Sequence, residues 1–248
     1  LSASLFPVEP RGGGAPVCAV IPVNPQKEDT MHIEPGFIAQ TKIMLANAGA
    51  ISVLGWYAKD LLRRPADILR TLLAAGFFSL FMQAFHMSVG PSELHFVGAM
   101  AMYLTLGFLP TLFGFALGLL LQGLLFEPTD LVHLAVNSLS LVVPLIAVHF
   151  TLGRKLRETT NGHHIDWRTI LKLDAMYYSG VTGMVGFWLL VSEVATPFAA
   201  WAAFATSYLA IVAIEPLFTY GVIRLLKRYE HKPLIDTCFA VKTITLAR

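Results

Sequence analysis

FVGAMAMYLTLGFLPTLFGFALGLLLQGLLF, residues Phe96–Phe126, contains no charged side chain. As a single α-helix it would be about 46 Å long, whereas a bilayer's hydrocarbon core is about 30 Å thick and needs about 20 residues to cross. Gly107-Phe108-Leu109-Pro110 divides the run. Proline removes a helix hydrogen bond and disfavours helix at the residue before it. The stretch therefore predicts two spans, over 95–108 and 110–126, and the alternative is one long kinked helix.

Outward from this run the same pattern repeats. Of the 248 residues, 55% are hydrophobic and 14% charged, and the charges lie between long apolar stretches. This composition predicts an all-α, polytopic membrane protein. The remaining spans are expected near 39–58, 68–88, 131–151, 170–192 and 199–226, which gives about seven transmembrane helices, or six if the central run is one helix.

Loop charges test that count independently. Lys59, Arg63, Arg64 and Arg70 fall in the first connection, Arg154, Lys155, Arg157 and Arg168 in the fifth, and Arg224, Lys227 and Arg228 after the last span. The alternate connections, 89–94, 127–130 and 193–198, contain no Lys or Arg. Basic loops stay cytoplasmic. The C-terminus is thus expected inside and Met31 outside, which requires an odd number of spans. His95 falls on the Met31 side.

Residues 1–30 differ from the rest, being rich in Pro and Gly and without helical or strand periodicity. They lack the charged start and apolar core of a signal peptide. Lys27-Glu28-Asp29 can be encoded by a purine-rich ribosome-binding sequence shortly before the Met31 codon. The stretch is therefore expected to be translated upstream sequence, and an unstructured extension is the alternative. Residues 31–229 form the expected membrane domain and 230–248 a cytoplasmic tail.

The start at Met31-His32-Ile33 carries metal chemistry. With Met31 as first residue, its amine, the His32 amide nitrogen and the His32 imidazole close two fused chelate rings. One in-plane position stays open, and a second imidazole on the same side, His95, can fill it. Four planar nitrogens suit late divalent metals such as nickel, copper or low-spin cobalt. Cys18 and Cys238 give neither a disulfide framework nor a Cys-based metal spacing. Walker A, HExxH, Gly-x-Ser-x-Gly and Rossmann patterns are absent from the sequence. No enzymatic activity and no nucleic-acid partner are expected of this chain.

Met31-His32-Ile33-Glu34-Pro35-Gly36-Phe37 resembles the start of the CbiM/NikM family. These are the substrate-specific membrane components of energy-coupling factor transporters for cobalt and nickel. The resemblance continues through Gly90-Pro91-Ser92-Glu93-Leu94-His95-Phe96-Val97-Gly98, Gln122-Gly123-Leu124-Leu125-Phe126, Asn137, and Glu215-Pro216-Leu217-Phe218-Thr219. It spans Met31 to about Tyr229. The order Glu34-Pro35 departs from the family, which more often has Pro or Met and then an acid before the glycine.

The resemblance implies metal binding by Met31, His32 and His95, with Co²⁺ or Ni²⁺ as transported substrate and no permanent cofactor. It also implies partners: a transmembrane coupling subunit, a cytoplasmic ATPase pair that hydrolyses the ATP, and a small two-helix accessory subunit. The setting implied is the bacterial inner membrane, with import of cobalt for cobalamin synthesis favoured.

Further residues have both a functional and a plain reading. His86 is a possible intake ligand, or an interfacial histidine. His133 and His149 lie about 24 Å apart along one helix and cannot share an iron, so packing is expected. A membrane haem or redox protein using His86, His95, His133 or His149 is the alternative function. His163 and His164 are expected in a polar loop. Glu215, an ionisable group within a span, is a pathway candidate or pairs with Lys172. Gln122 and Asn137 are expected to cross-link helices near the metal or to orient His95. Ala46-x-x-x-Ala50 offers a small-residue face for the coupling subunit, or for packing within the chain.

Overall fold

Helix α1 (Gln40–Leu62) turns within two residues into α2 (Pro65–Ala84). Pro65 stands in the first turn, where its missing N–H costs nothing, and Asp67 there pairs with Arg70 at 3.3 Å. In this computed structural model, residues 38–89, 92–153, 156, 163–193, 195–242 and 244–246 are described. Met31 and His32, the extension with Cys18, Gly90-Pro91, and Arg154, Lys155 and Arg157 lie outside them.

After α2 the chain forms an antiparallel ribbon, β1 (His86–Val89) with β2 (Ser92–His95), in which His86 stands opposite His95. Next come α3 (Ala99–Leu106), α4 (Phe108–Leu125), a 3₁₀ turn (Pro128–His133), and α5 (Leu134–Val148) with a π turn (His149–Gly153). Strand β3 (His163–Ile165) pairs in parallel with β4 (Ile244–Leu246) near the C-terminus. Between them lie α6 (Trp167–Leu190), α7 (Phe198–Arg228) and α8 (Pro233–Cys238). Asp166 caps α6 by accepting the Thr169 amide at 2.8 Å. The Thr169 hydroxyl also donates to it, and together they hold this carboxyl below the usual carboxylate range.

Two expectations change. The span expected over 68–88 stops at Ala84 and its last residues become β1. In place of a span over 95–108, the chain supplies the end of a strand, a turn and the 8-residue α3. That helix is about 12 Å long, less than half a bilayer core. Gly98 (φ 61°) and Gly107 (φ 103°) occupy the left-handed region that L side chains rarely adopt, and so they bound α3 at both ends. The expected break at Gly107–Pro110 is present: Pro110 falls in the first turn of α4, where it leaves the helix unkinked by its missing donor.

Among the described residues, four helical stretches are long and apolar enough to cross a membrane: α2, α4, Pro128–Gly153 and α7. Helices α1 (23 residues) and α6 (24 residues) match them in length but are less apolar. The protein is thus mostly helical, and two short ribbons are the departure from an all-α reading. The end of the bundle that carries Arg64 and Arg70 also meets the chain after α7, where Arg70 Nη2 donates to the Asp236 carbonyl at 3.4 Å. A cavity there of about 390 Å³ is lined by Tyr57, Asp60, Arg64, Asp67, Arg70 and His149. The C-terminal tail closes on the same end, where the Ala240 amide donates to the Thr105 carbonyl at 2.6 Å.

Candidate metal-capture site

His95 ends β2 and is 6% exposed. It is held from two sides. The next amide, Phe96, donates to the Phe85 carbonyl at 3.1 Å, and the His95 amide itself donates to the Tyr208 hydroxyl on α7. The Phe96 ring packs edge-on against Phe81, Phe85 and Phe218. Backbone that is neither helix nor closed barrel survives at membrane depth only where protein covers it. Here the two strands satisfy each other and α7 covers them. The His86 ring lies 6.3 Å from the His95 ring, centroid to centroid, and is exposed. Strand pairing brings these two histidines together.

A second group of polar side chains lies where the 3₁₀ turn runs into α5. His133 is 1% exposed and neither ring nitrogen has a hydrogen-bond partner among the described residues, nor does Asn137 Nδ2 one turn later. Buried nitrogens left unpaired cost about 1–3 kcal/mol each. Ile38, at the start of the described chain, is buried in the cluster that contains Ala135 and Val136, the residues between them.

Gln122 ties α4 to α2: its Nε2 donates to Gln83 Oε1 at 2.7 Å, and it accepts from the Ser79 hydroxyl at 3.4 Å. Ala46 and Ala50 are buried against Ala135, Val136 and Leu139 of α5. The small-residue face offered to a coupling subunit is therefore occupied by this chain itself. Two alanines one turn apart let α1 and α5 approach closely.

Glu215 is fully buried in the middle of α7. Lys172 is exposed on α6 and forms no pair with it. The carboxylate instead accepts the Met100 amide at 3.2 Å and the Tyr178 hydroxyl. It thus sits on the N-terminus of α3, where the helix dipole favours negative charge. Asp174 on α6, also fully buried, has its carboxyl within hydrogen-bonding reach of Glu215. Sequence reasoning missed Asp174, Tyr177 and Tyr178. The rule that singles out ionisable groups in spans applies to Asp174 as much as to Glu215.

His149 lies at the basic end. It is stacked on Phe108 at 3.6 Å and hydrogen-bonded to the Tyr103 hydroxyl at 3.2 Å through Nδ1. It is a packed, bonded histidine, at the opposite end of α5 from His133. No group of three or more His, Cys, Asp or Glu among the described residues could hold a metal ion.

The described residues thus form a bundle of apolar helices with a buried histidine at the base of a two-stranded ribbon. The family model for the cobalt uptake substrate-specific transmembrane region, CbiM, matches residues 32–233, and the chain belongs to that family. Two solved structures share the fold. A transition metal transporter is 20% identical at a TM-score of 0.64, covering 83% of this chain and 96% of its own. A truncated transition metal transporter is 21% identical at 0.63, covering 81% and 100%. No curated protein matches. The chain is thus a metal-uptake component and a membrane protein.

Proposed function

We propose that this chain captures Co²⁺ or Ni²⁺ outside a bacterial inner membrane, as the substrate-specific part of an ATP-driven energy-coupling factor importer. Cobalt, destined for cobalamin synthesis, is the favoured ion. Four planar nitrogens hold it: the Met31 amine, the His32 amide and imidazole nitrogens, and the His95 imidazole. The observation that carries this reading is His95 itself, a buried histidine fixed through its backbone on both sides. Ile38 adds support. It is buried against Ala135 and Val136, which lie between His133 and Asn137, two side chains with buried nitrogens unpaired among the described residues.

The chain crosses the bilayer seven times, with β2 and α3 together making the third passage, N-terminus outside and C-terminus inside. The gathering of basic residues at one end supports this orientation. A transmembrane coupling subunit, a cytoplasmic ATPase pair and a small two-helix accessory subunit complete the machine. This chain carries no nucleotide motif, so ATP hydrolysis belongs to the partners.

Equilibrium dialysis of purified protein against Co²⁺ and Ni²⁺ tests the ligand set. His95→Ala should lose tight binding while keeping its circular dichroism, and His86→Ala should keep both. Unchanged affinity in His95→Ala would overturn the assignment.

A further inference from the structure

Helix α3 is a short rod with a glycine joint at each end. Gly98 (φ 61°) precedes it and Gly107 (φ 103°) follows it, and seven of its eight residues are buried. Glycine takes positive φ without steric cost, so the chain can change direction at both joints while the rod stays intact. His95 lies three residues before the first joint.

The start of the rod is held by α7. Glu215 accepts the Met100 amide at 3.2 Å, and the His95 amide donates to the Tyr208 hydroxyl. Its other end is held by the C-terminal segment. A helix leaves its last carbonyls without partners inside the helix, and here the Thr105 carbonyl accepts the Ala240 amide at 2.6 Å. The Thr105 hydroxyl is turned back onto its own helix, donating to the Ala101 carbonyl at 2.6 Å.

The segment that supplies Ala240 is seated on several elements at once. Val241 is 1% exposed and Ile244 2%, in a cluster with Ile170 of α6 and Ile223 and Leu226 of α7. Phe239 and Leu104 of α3 pack against the same cluster. Arg70 of α2 donates to the Asp236 carbonyl, and β4 pairs with β3. Residues 233–242 and 244–246 thus strap α2, α3, α6 and α7 together. They begin where the family match ends, at residue 233.

Removing the strap has a defined local consequence. Thr105 is 3% exposed, so its carbonyl would be left buried without the Ala240 amide. An unsatisfied buried acceptor is unfavourable, and a shift of α3 toward another donor relieves it. Such a shift passes through the Gly98 joint to the strand that ends at His95.

We propose that this strap and the metal site are linked. With the strap docked, α3 holds His95 in its capture geometry; with the strap released, the grip on Co²⁺ or Ni²⁺ falls. This rests on the capture reading above. Linkage of this kind is reciprocal, so an ion at His95 also holds the strap down by the same factor. A segment that merely adds stability would show no response to the ion.

Hydrogen exchange of purified protein in detergent, with and without saturating Co²⁺, reads the strap without any substitution. The amides of residues 239–242 should exchange at least about fivefold more slowly with Co²⁺ bound. Deleting residues 233–248 should weaken Co²⁺ binding by the same factor in equilibrium dialysis. Ala240→Pro removes the donor where Phe239 is already extended (φ −130°, ψ 146°), as a residue before proline requires. It should weaken Co²⁺ in the same direction. Lys242→Ala, which breaks only an exposed ion pair with Asp236, should change neither reading. Tight Co²⁺ binding with unchanged exchange in the strap overturns the linkage and leaves the capture reading standing. Unchanged affinity in the folded deletion variant does the same. A parent that binds no Co²⁺ tightly overturns the capture reading, and the linkage with it.

Discussion

A Cβ placed on Gly114 of α4 would stand 2.4 Å from the Cβ of Ala74 on α2, well inside non-bonded contact distance. One turn on, a Cβ at Gly118 would stand 2.5 Å from the Phe78 ring. In lipid there is no hydrophobic drive between helices, and close backbone approach supplies dispersion contacts instead. The pair α2–α4 uses that device, and the Gln83–Gln122 hydrogen bond ties the same two helices together.

Gly114→Val should therefore destabilise the isolated protein by at least about 1–3 kcal/mol, because the obstruction includes Ala74 backbone and not only a movable side chain. Gly76→Ala is the control. Nothing lies within 4 Å of its added carbon, so it should be neutral or stabilising by up to about 1 kcal/mol. Thermal unfolding in detergent reads both. Equal melting temperatures for the two variants would mean that α2 and α4 do not touch in this way.

Ala46→Leu should likewise destabilise the chain in the absence of any partner, since Ala46 is 3% exposed against α5. Overpacking of this kind costs about 1–3 kcal/mol. Ala48→Leu, on the exposed side of the same helix, should leave the melting temperature unchanged. If Ala46→Leu unfolds like the parent and fails only in assembly, the face belongs to a partner after all.

The helical bundle was legible because long apolar runs separated by charged loops have one reading in a bilayer. The β1–β2 ribbon was not. Its strands are four residues long, too short for alternation to separate a strand from the frayed end of a helix. Phe81 and Phe85 continue the aromatic pattern of α2 up to the very residue where the ribbon begins. The break between α3 and α4 was visible in Gly107 and Pro110, but the shortness of α3 was not, because Gly98 reads as an ordinary small residue until its φ is known. Ala46-x-x-x-Ala50 shows a close helix contact without saying whose helix makes it. Glu215 was singled out by its charge, whereas its partner Asp174 depends on how α6 meets α7.

The amine ligand gives a prediction about the chain's start. A protein beginning at Met31 should bind Ni²⁺ and Co²⁺ tightly. One carrying residues 1–30 has an amide in place of the Met31 amine and should bind at least tenfold more weakly. Dialysis of both forms, with intact mass confirming each start, decides the point. Equal affinity would remove the amine from the ligand set.

The chelate geometry itself can be broken without disturbing the bundle. Inserting one alanine between Met31 and His32 moves the imidazole to the third position. The amine, two amide nitrogens and that imidazole can then fill all four planar positions without His95. The variant should still bind Ni²⁺ in solution, because a complete local chelate remains. It should nonetheless fail in uptake, since the ion is no longer tied to the ribbon through His95, and its release is uncoupled from movement of the helical body. The insertion lies outside α1 and leaves α1–α5 packing intact. Uptake of labelled nickel or cobalt by cells expressing the variant with its partner subunits is the measurement. A normal uptake rate would mean that the transporter does not depend on a histidine at the second position completed by His95.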